Sequence, residues 1–227
     1  MNRKNILITT IITATVATLW TGCGGVGAVV GNVSTEMPSE KETAAEFKLK
    51  PTEGKIVVFA VQPAWIRSPM DLRVTLTNSI NGSLEEKALI KKERLTEYGY
   101  VAKTRIGLPE NKKDDSFETA ARLDAQYVLV VQVQDFDLST FGEKDLFNGT
   151  MTVKASLYDI NKKKLWPTDK SNKEITVNIE AEKGTVKSAV EKLSDAAAFC
   201  ITRYLYNCKT ERFHISEEKR EIDSEKW

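Results

Sequence analysis

The side chains that most often carry out acid–base, nucleophilic or metal chemistry are scarce in this chain of 227 residues. There is one histidine, His214, and it lies in a charged C-terminal segment. The three cysteines, Cys23, Cys200 and Cys208, are too few and too irregularly spaced for a zinc site or a disulfide framework. Without a usable histidine, a hydrolytic triad has no general base. We therefore expect no catalytic residues, no metal and no cofactor, and we predict that the protein is not an enzyme.

The charge balance points away from nucleic acid as a partner. The chain has 33 Lys and Arg against 32 Asp and Glu, a net charge of +1. A nucleic-acid-binding domain needs a basic excess to neutralise phosphates. We expect no nucleic-acid partner.

The N-terminal segment has the composition of an export signal. Arg3 and Lys4 give a positive start, and residues 6–20 form an uncharged apolar stretch. Gly22 is a small residue just before Cys23. This order predicts a signal peptide over residues 1–22. An uncleaved membrane anchor and simple cleaved secretion are the alternatives, and all three export the remainder of the chain.

A cysteine directly after a small residue resembles the lipobox of bacterial lipoproteins. In that family the thiol carries fatty acyl chains such as palmitate, and cleavage makes the cysteine the new N-terminus. The resemblance implies lipidation at Cys23, where two or three chains would give a stable membrane anchor at about 0.8 kcal/mol per buried CH₂. Gly24 is not the Asp that retains enterobacterial lipoproteins in the inner membrane. The resemblance therefore implies that the protein is anchored in the inner leaflet of the outer membrane and faces the periplasm.

Composition divides the rest of the chain into three parts. Residues 23–54 hold the lipidated cysteine and a tether rich in Gly, Ser, Thr, Glu and Lys, which predicts flexibility. Residues 55–208 have the hydrophobic periodicity of a folded periplasmic domain. Residues 209–227 are a charged tail.

The strand pattern changes along the domain. Residues 56–61 are a continuous apolar run, which predicts a strand buried on both faces and central in a sheet. Residues 126–136 predict a strand whose second face is also partly apolar. Residues 148–160 and 175–179 alternate apolar and polar side chains, as in strands with one wet face. The latter pattern favours an antiparallel meander.

Helical periodicity appears in four places. Residues 70–86 carry an apolar stripe, and Asp115 is placed to cap a short helix that runs to residue 123. A further helix is expected to reach Tyr98 and to end at Gly99. Residues 185–206 predict a long C-terminal helix. The fold class is therefore α+β, an α/β sandwich: a mostly antiparallel sheet of about four to five strands with helices on one face.

One connection is unusually apolar for a loop. Phe136, Phe141, Leu146 and Phe147 lie in or beside residues 137–148. Exposed apolar side chains on a loop predict a binding tip for a protein or a membrane surface. The alternative is a loop folded back onto the core. Trp65, after the first strand, is expected to pack in the core, with partner binding as the alternative.

Three short motifs carry a second resemblance, at residues 123–135, 153–160 and 164–166. With the order of elements, they resemble envelope lipoproteins that include the curli-secretion and polysaccharide-export lipoproteins and the activators of penicillin-binding proteins. The resemblance covers about residues 55–206 and implies a shared fold. It also leaves a homo-oligomer open as an assembly state.

Two functions follow as hypotheses. The first is a membrane-anchored periplasmic lipoprotein that acts as a non-enzymatic scaffold or regulator of an envelope assembly or export machine. The alternative is an auxiliary ligand-binding lipoprotein of a lipid or lipopolysaccharide transport system. An apolar cavity between sheet and helix would favour the alternative, and a flat solvated sheet face with an aromatic loop would favour the scaffold. The expected partners are the bilayer, through Cys23, and an unidentified envelope protein.

Overall fold

A computed structural model describes residues 42–140 and 145–209 of the chain. The predictions for the signal peptide, Cys23 and Phe141 concern residues outside these ranges. The same holds for most of the predicted tether and for the tail from residue 210 onward.

The described residues form seven strands and four α-helices. The strands are β1 (Glu42–Thr43), β2 (Ile56–Val61), β3 (Tyr127–Thr140), β4 (Leu146–Asp159), β5 (Lys164–Trp166), β6 (Lys173–Lys183) and β7 (Cys208–Lys209). The helices are α1 (Leu72–Glu86), α2 (Tyr98–Ile106), α3 (Ser116–Arg122) and α4 (Val186–Thr202). Short 3₁₀ turns occur at Lys92–Arg94, Glu110–Lys112 and Arg203–Leu205.

Five strands form one sheet that is antiparallel except at β2. The strand order is β2-β3-β4-β5. Strand β6 pairs with the same edge of β4 as β5 does, but along the first part of β4, whereas β5 pairs near its end. Only β2 and β3 are parallel within this sheet. Strands β1 and β7 form a separate two-stranded ladder. The predicted α+β class, with its mostly antiparallel sheet and long C-terminal helix, is confirmed.

The position predicted for β2 is wrong, although its burial is confirmed. Among the described strands β2 pairs with β3 alone, so it lies at the edge of the sheet. Ile56 and Val58 face the main core, while Val57 and Phe59 face a second cluster beneath α2 and α3. A continuous apolar run therefore indicates that both faces of a strand are buried. It does not indicate that the strand has a neighbouring strand at each of its two edges.

Helices α1 and α4 cover the sheet over the main core. The predicted stripe of α1 is confirmed, because Leu72, Leu76, Ile80 and Leu84 are all fully buried. Helix α4 runs alongside α1 and buries Leu193, Ala197 and Ile201, among others. The predicted cap of α3 is also confirmed: the Asp115 carboxylate accepts hydrogen bonds from two backbone N–H groups.

The stretch between α1 and α3 differs from the prediction. Gly99 was expected to end a helix, yet α2 begins at Tyr98 and places Gly99 in its first turn. Val101 is buried against the outer cluster beside Val57 and Phe59. This tertiary contact fixes the helix one turn later than the local glycine signal indicates.

The folded domain begins earlier than residue 55. Leu49 is buried in the main core, and Phe47 packs against it. Backbone N–H groups of Phe47 and Leu49 donate to the carbonyls of Tyr204 and Leu205 at 3.1 and 3.0 Å. Residues 42–54 thus belong to the domain, and two apolar residues in a polar segment are too few to give a periodic signal. In the two described ranges, no helix combines the length and the apolar character needed to cross a membrane.

Candidate partner-binding site at the hairpin

The predicted binding tip belongs to a long β-hairpin. Strands β3 and β4 each have 14 residues, and they pair from Tyr127–Asp159 at one end to Thr140–Phe147 at the other. Residues 137–140 and 146–148, expected to be loop, continue the two strands. Phe136 and Leu138 pack against the main core on one face of the hairpin, and the pairing continues to Thr140, which extends both strands beyond the expected ends.

The four residues of the predicted tip lie in different surroundings. Phe147 is only 4% exposed and is a core residue, and Phe136 packs against the main core with part of its surface exposed. Leu146 is half-buried where β4 begins. Phe141 lies outside the described residues. The hairpin end beyond residues 138 and 148 remains our candidate for partner contact, with Leu146 as its described apolar member.

Gly149 allows the hairpin to sit closely on α4. A Cβ at this position would lie 2.8 Å from Leu193 Cδ1 and 3.0 Å from Leu138 Cδ1. Such distances are shorter than normal van der Waals contact, so a larger residue would force the layers apart. The hairpin is therefore held against the helix, and its end is presented on a firm support.

The corner between β6 and α4 supports the same end. The Gly184 N–H donates to the Asp145 carbonyl at 2.9 Å, which ties the corner to the start of β4. Thr185 and Ser188 form a reciprocal capping box at the start of α4. Lys192 makes an ion pair with Glu182. These contacts satisfy the first backbone N–H groups of α4 and fix the hairpin end relative to the helix.

The outer face of the hairpin is polar. Asp135 and Asp137 lie opposite Thr152 and Thr150, and these threonines lie opposite Thr176 and Asn178 of β6. Both aspartates are exposed, and the hydroxyls of Thr152 and Thr176 are 3.0 Å apart. This part of the sheet therefore offers a solvated, hydrogen-bonding surface.

The opposite end of the domain holds both termini of the described chain. Thr43 pairs with Cys208, so the chain enters and leaves at one place. Trp166 Nε1 donates to Glu46 Oε2 at 2.7 Å, and its ring stacks on Tyr204 at 5.4 Å between centroids. The Arg94 guanidinium donates to the Lys50 carbonyl at 2.7 Å, and burial lowers the pKa of Arg94. These contacts hold the entering segment on the domain.

The described residues offer little chemistry of the catalytic kind. Cys200 and Cys208 are both buried thiols. No group of three or more His, Cys, Asp or Glu in residues 42–140 and 145–209 is placed to hold a metal ion. Backbone N–H donation from Glu118 holds the pKa of Asp115 below its ordinary value, a helix-capping effect. At the start of α1, hydrogen bonds from the Arg73 guanidinium lower the pKa of Asp71.

A groove lies between α1 and α4 on the outer side of the helical layer. Its volume is about 630 Å³. Hydroxyl contacts cross between the helices: Ser194 Oγ donates to Thr75 Oγ1 at 3.0 Å, and Ser79 Oγ donates to Asp195 Oδ1 at 2.6 Å. Beneath it, the space between helices and sheet is filled by fully buried side chains. The groove is thus open and lined by hydroxyl and carboxylate groups as well as apolar atoms, unlike the enclosed apolar cavity that a lipid carrier requires.

Trp65 was expected to be a core residue, and this expectation is wrong. The indole is 69% exposed, and the next residue, Ile66, is the one that packs inside. The segment that holds Trp65 and Ile66 is neither helix nor strand, so its sequence has no periodicity that shows which residue is buried. The prediction that Trp65 is buried rested on the size and apolar character of its side chain alone.

Comparison with known proteins finds solved structures of low similarity only. No protein-family model and no curated protein matches the chain. A similar solved structure is the lipoprotein GNA1162 from Neisseria meningitidis, at 17% identity and TM-score 0.43, over 66% of this chain and 99% of that one. Another is the PelC dodecamer from Paraburkholderia phytofirmans, at 15% identity and TM-score 0.43, over 73% and 96%. A third is the hypothetical protein CT253 from Chlamydia trachomatis, at 14% identity and TM-score 0.35, over 67% and 98%. At these identities and scores, the likeness carries no argument about function.

Proposed function

We propose that the chain is a lipoprotein anchored through Cys23 in the outer membrane, facing the periplasm. It acts as a non-enzymatic scaffold or regulator of an envelope assembly or export machine. The observation that carries the proposal is the separation of two ends of the domain. The chain enters and leaves at one end, and the supported hairpin projects at the other.

The distance between the two ends follows from α4. Its 17 residues begin beside the hairpin corner and finish just before the segment that holds the entering chain. At about 1.5 Å per residue, the helix separates the ends by about 26 Å. Residues 24–41 would form the tether, with an r.m.s. reach of roughly 21–25 Å. A body tethered in this way presents its hairpin end away from the bilayer.

The packing supports a scaffold over the ligand-binding alternative. The helices and the sheet enclose a core of fully buried side chains. The outer sheet face is polar and solvated at Asp135, Asp137 and Thr150. A well-packed domain with a solvated polar face and a supported hairpin is suited to contact with another protein.

Crosslinking in cells tests the proposal. A photoreactive residue is placed at Thr140, exposed near the hairpin end, and in a separate chain at Leu89, exposed just beyond the far end of α1. We expect one envelope protein to be captured from position 140 and not from position 89. Phe141→Ser and Leu146→Ser should remove that product without changing the melting temperature. Phe147 is not replaced, because it is buried. Identical products from both positions, or a partner retained in both serine variants, would contradict the proposal.

A further inference from the structure

The connection between β2 and α1 displays an aromatic side chain on a fixed support. Trp65 is 69% exposed, while Ile66 beside it is buried. Gln62 Oε1 accepts from the Leu72 N–H at 2.9 Å, and Gln62 Nε2 donates to the Ile66 carbonyl at 3.1 Å. The Ile66 N–H donates to the Pro63 carbonyl at 3.0 Å. The backbone that carries the indole is therefore ordered before any partner arrives.

This arrangement has the properties of a binding anchor. A tryptophan buries about 150–250 Å² when it enters a pocket, and tryptophan and arginine dominate interface energetics. An ordered support lowers the entropy lost on binding. Arg67, two residues on, is exposed and forms no ion pair with a described residue. The anchor thus combines an indole with an unpaired cation.

The same chain has a groove whose chemistry complements this anchor. The groove between α1 and α4 contains about 630 Å³ and includes the ring of Phe199. Glu86, Glu191 and Asp195 give it three carboxylates. Glu86 already pairs with Lys87 and Glu191 with Lys187 at 3.8 Å, while Asp195 forms no ion pair with a described residue.

Space in the groove also fits a bulky side chain. No heavy atom lies within 4 Å of the position that a Cβ on Gly82 would occupy. Trp65 does not line this groove in its own chain, so a contact between the two must join separate copies. The volume lies in the range of small-molecule pockets, and the carboxylates match the charge of Arg67.

We propose that the Trp65–Arg67 segment of one copy docks in the groove between α1 and α4 of a second copy. The indole packs against the Phe199 side of the groove, and the guanidinium pairs with its carboxylates. Since loop and groove are different surfaces, two copies can exchange loops as a closed pair, or a head-to-tail series can form. A single loop buries little area, so the association is weak and depends on concentration. The contact does not depend on lipidation or on the hairpin.

Site-specific crosslinking between isotopically distinct copies tests the contact. p-Benzoylphenylalanine replaces Trp65 in the full chain, purified in mild detergent as an equal mixture of ¹⁴N and ¹⁵N copies, and the irradiated products are digested. We expect mixed-isotope peptides that join position 65 to residues 75–87 or 191–199. The same probe at Tyr100, another exposed aromatic residue, should give no such product. Mixed-isotope products elsewhere, products within one copy or no product would overturn the proposal.

Charge reversal gives an independent readout. Trp65→Ala and Arg67→Glu should each weaken self-association at least tenfold in sedimentation velocity, without lowering the melting temperature. Glu191→Lys combined with Arg67→Glu should restore part of the loss, because the pair is rebuilt with opposite signs. Unchanged association in both single variants, or a wild-type chain that stays monomeric at about 1 mM, would overturn the proposal.

Discussion

The seating of the hairpin on α4 can be tested at one glycine. In Gly149→Ala, the new methyl group would lie 2.8 Å from Leu193 Cδ1, whose fully buried side chain would have to shift within the packed core. It would also lie 3.0 Å from Leu138 Cδ1 and 3.3 Å from the Asp137 carbonyl oxygen. Overpacking of this kind costs about 1–3 kcal/mol, and lower unfolded-state entropy offsets about 0.4–1 kcal/mol. We expect a net loss of about 0–2.6 kcal/mol in the free energy of unfolding.

A second glycine provides the matched control. No heavy atom lies within 4 Å of a Cβ built on Gly99, in the first turn of α2. Gly99→Ala should therefore raise the free energy of unfolding by up to about 1 kcal/mol through helix propensity. Urea unfolding with an unchanged m-value measures both effects, and each kcal/mol corresponds to about 2–4 °C in Tm. If Gly149→Ala stabilises the chain as Gly99→Ala does, the described contact between hairpin and helix is wrong.

Three further changes probe other parts of the fold. Thr185→Ala removes the capping box of α4 and should lower the free energy of unfolding by about 1 kcal/mol in urea titration, while Thr185→Ser should keep most of it. The folded-state pKa of Asp115 is lowered, so its stabilisation is present above the unfolded pKa and lost as pH falls through the folded one. Asp115→Asn should consequently lose less stability than wild type between about pH 5 and about pH 2, and an equal loss would exclude this role. Trp166→Phe removes the hydrogen bond to Glu46, which should cost about 1–3 kcal/mol and expose Lys48 and Lys50 to trypsin; an unchanged digestion rate would contradict this.

Patterns among residues close in the sequence predicted the helices and strands that bury one side against the core. The four-residue stripe from Leu72 to Leu84 and the alternation along β4 state directly which side is buried. Asp115 marks the start of α3 because a carboxylate there satisfies backbone N–H groups. These signals depend on neighbours in the sequence, so the sequence alone reveals them.

The features that sequence reasoning missed depend on distant residues. The edge position of β2 requires knowledge of α2 and α3, which cover its second face. Leu49 joins the core through contacts with a segment about 150 residues away in the chain. The exposure of Trp65 follows from the side-chain hydrogen bonds of Gln62. None of these contacts leaves a periodic signal in the chain.

The proposed membrane anchor depends on the chemical state of Cys23. Mass spectrometry of the N-terminal peptide, taken from membranes of the native cell, measures it. We predict that the mature chain begins at Cys23 and that the mass of this residue includes fatty acyl chains. A chain that still begins at Met1, or a mature chain with an unmodified thiol at Cys23, would contradict the account.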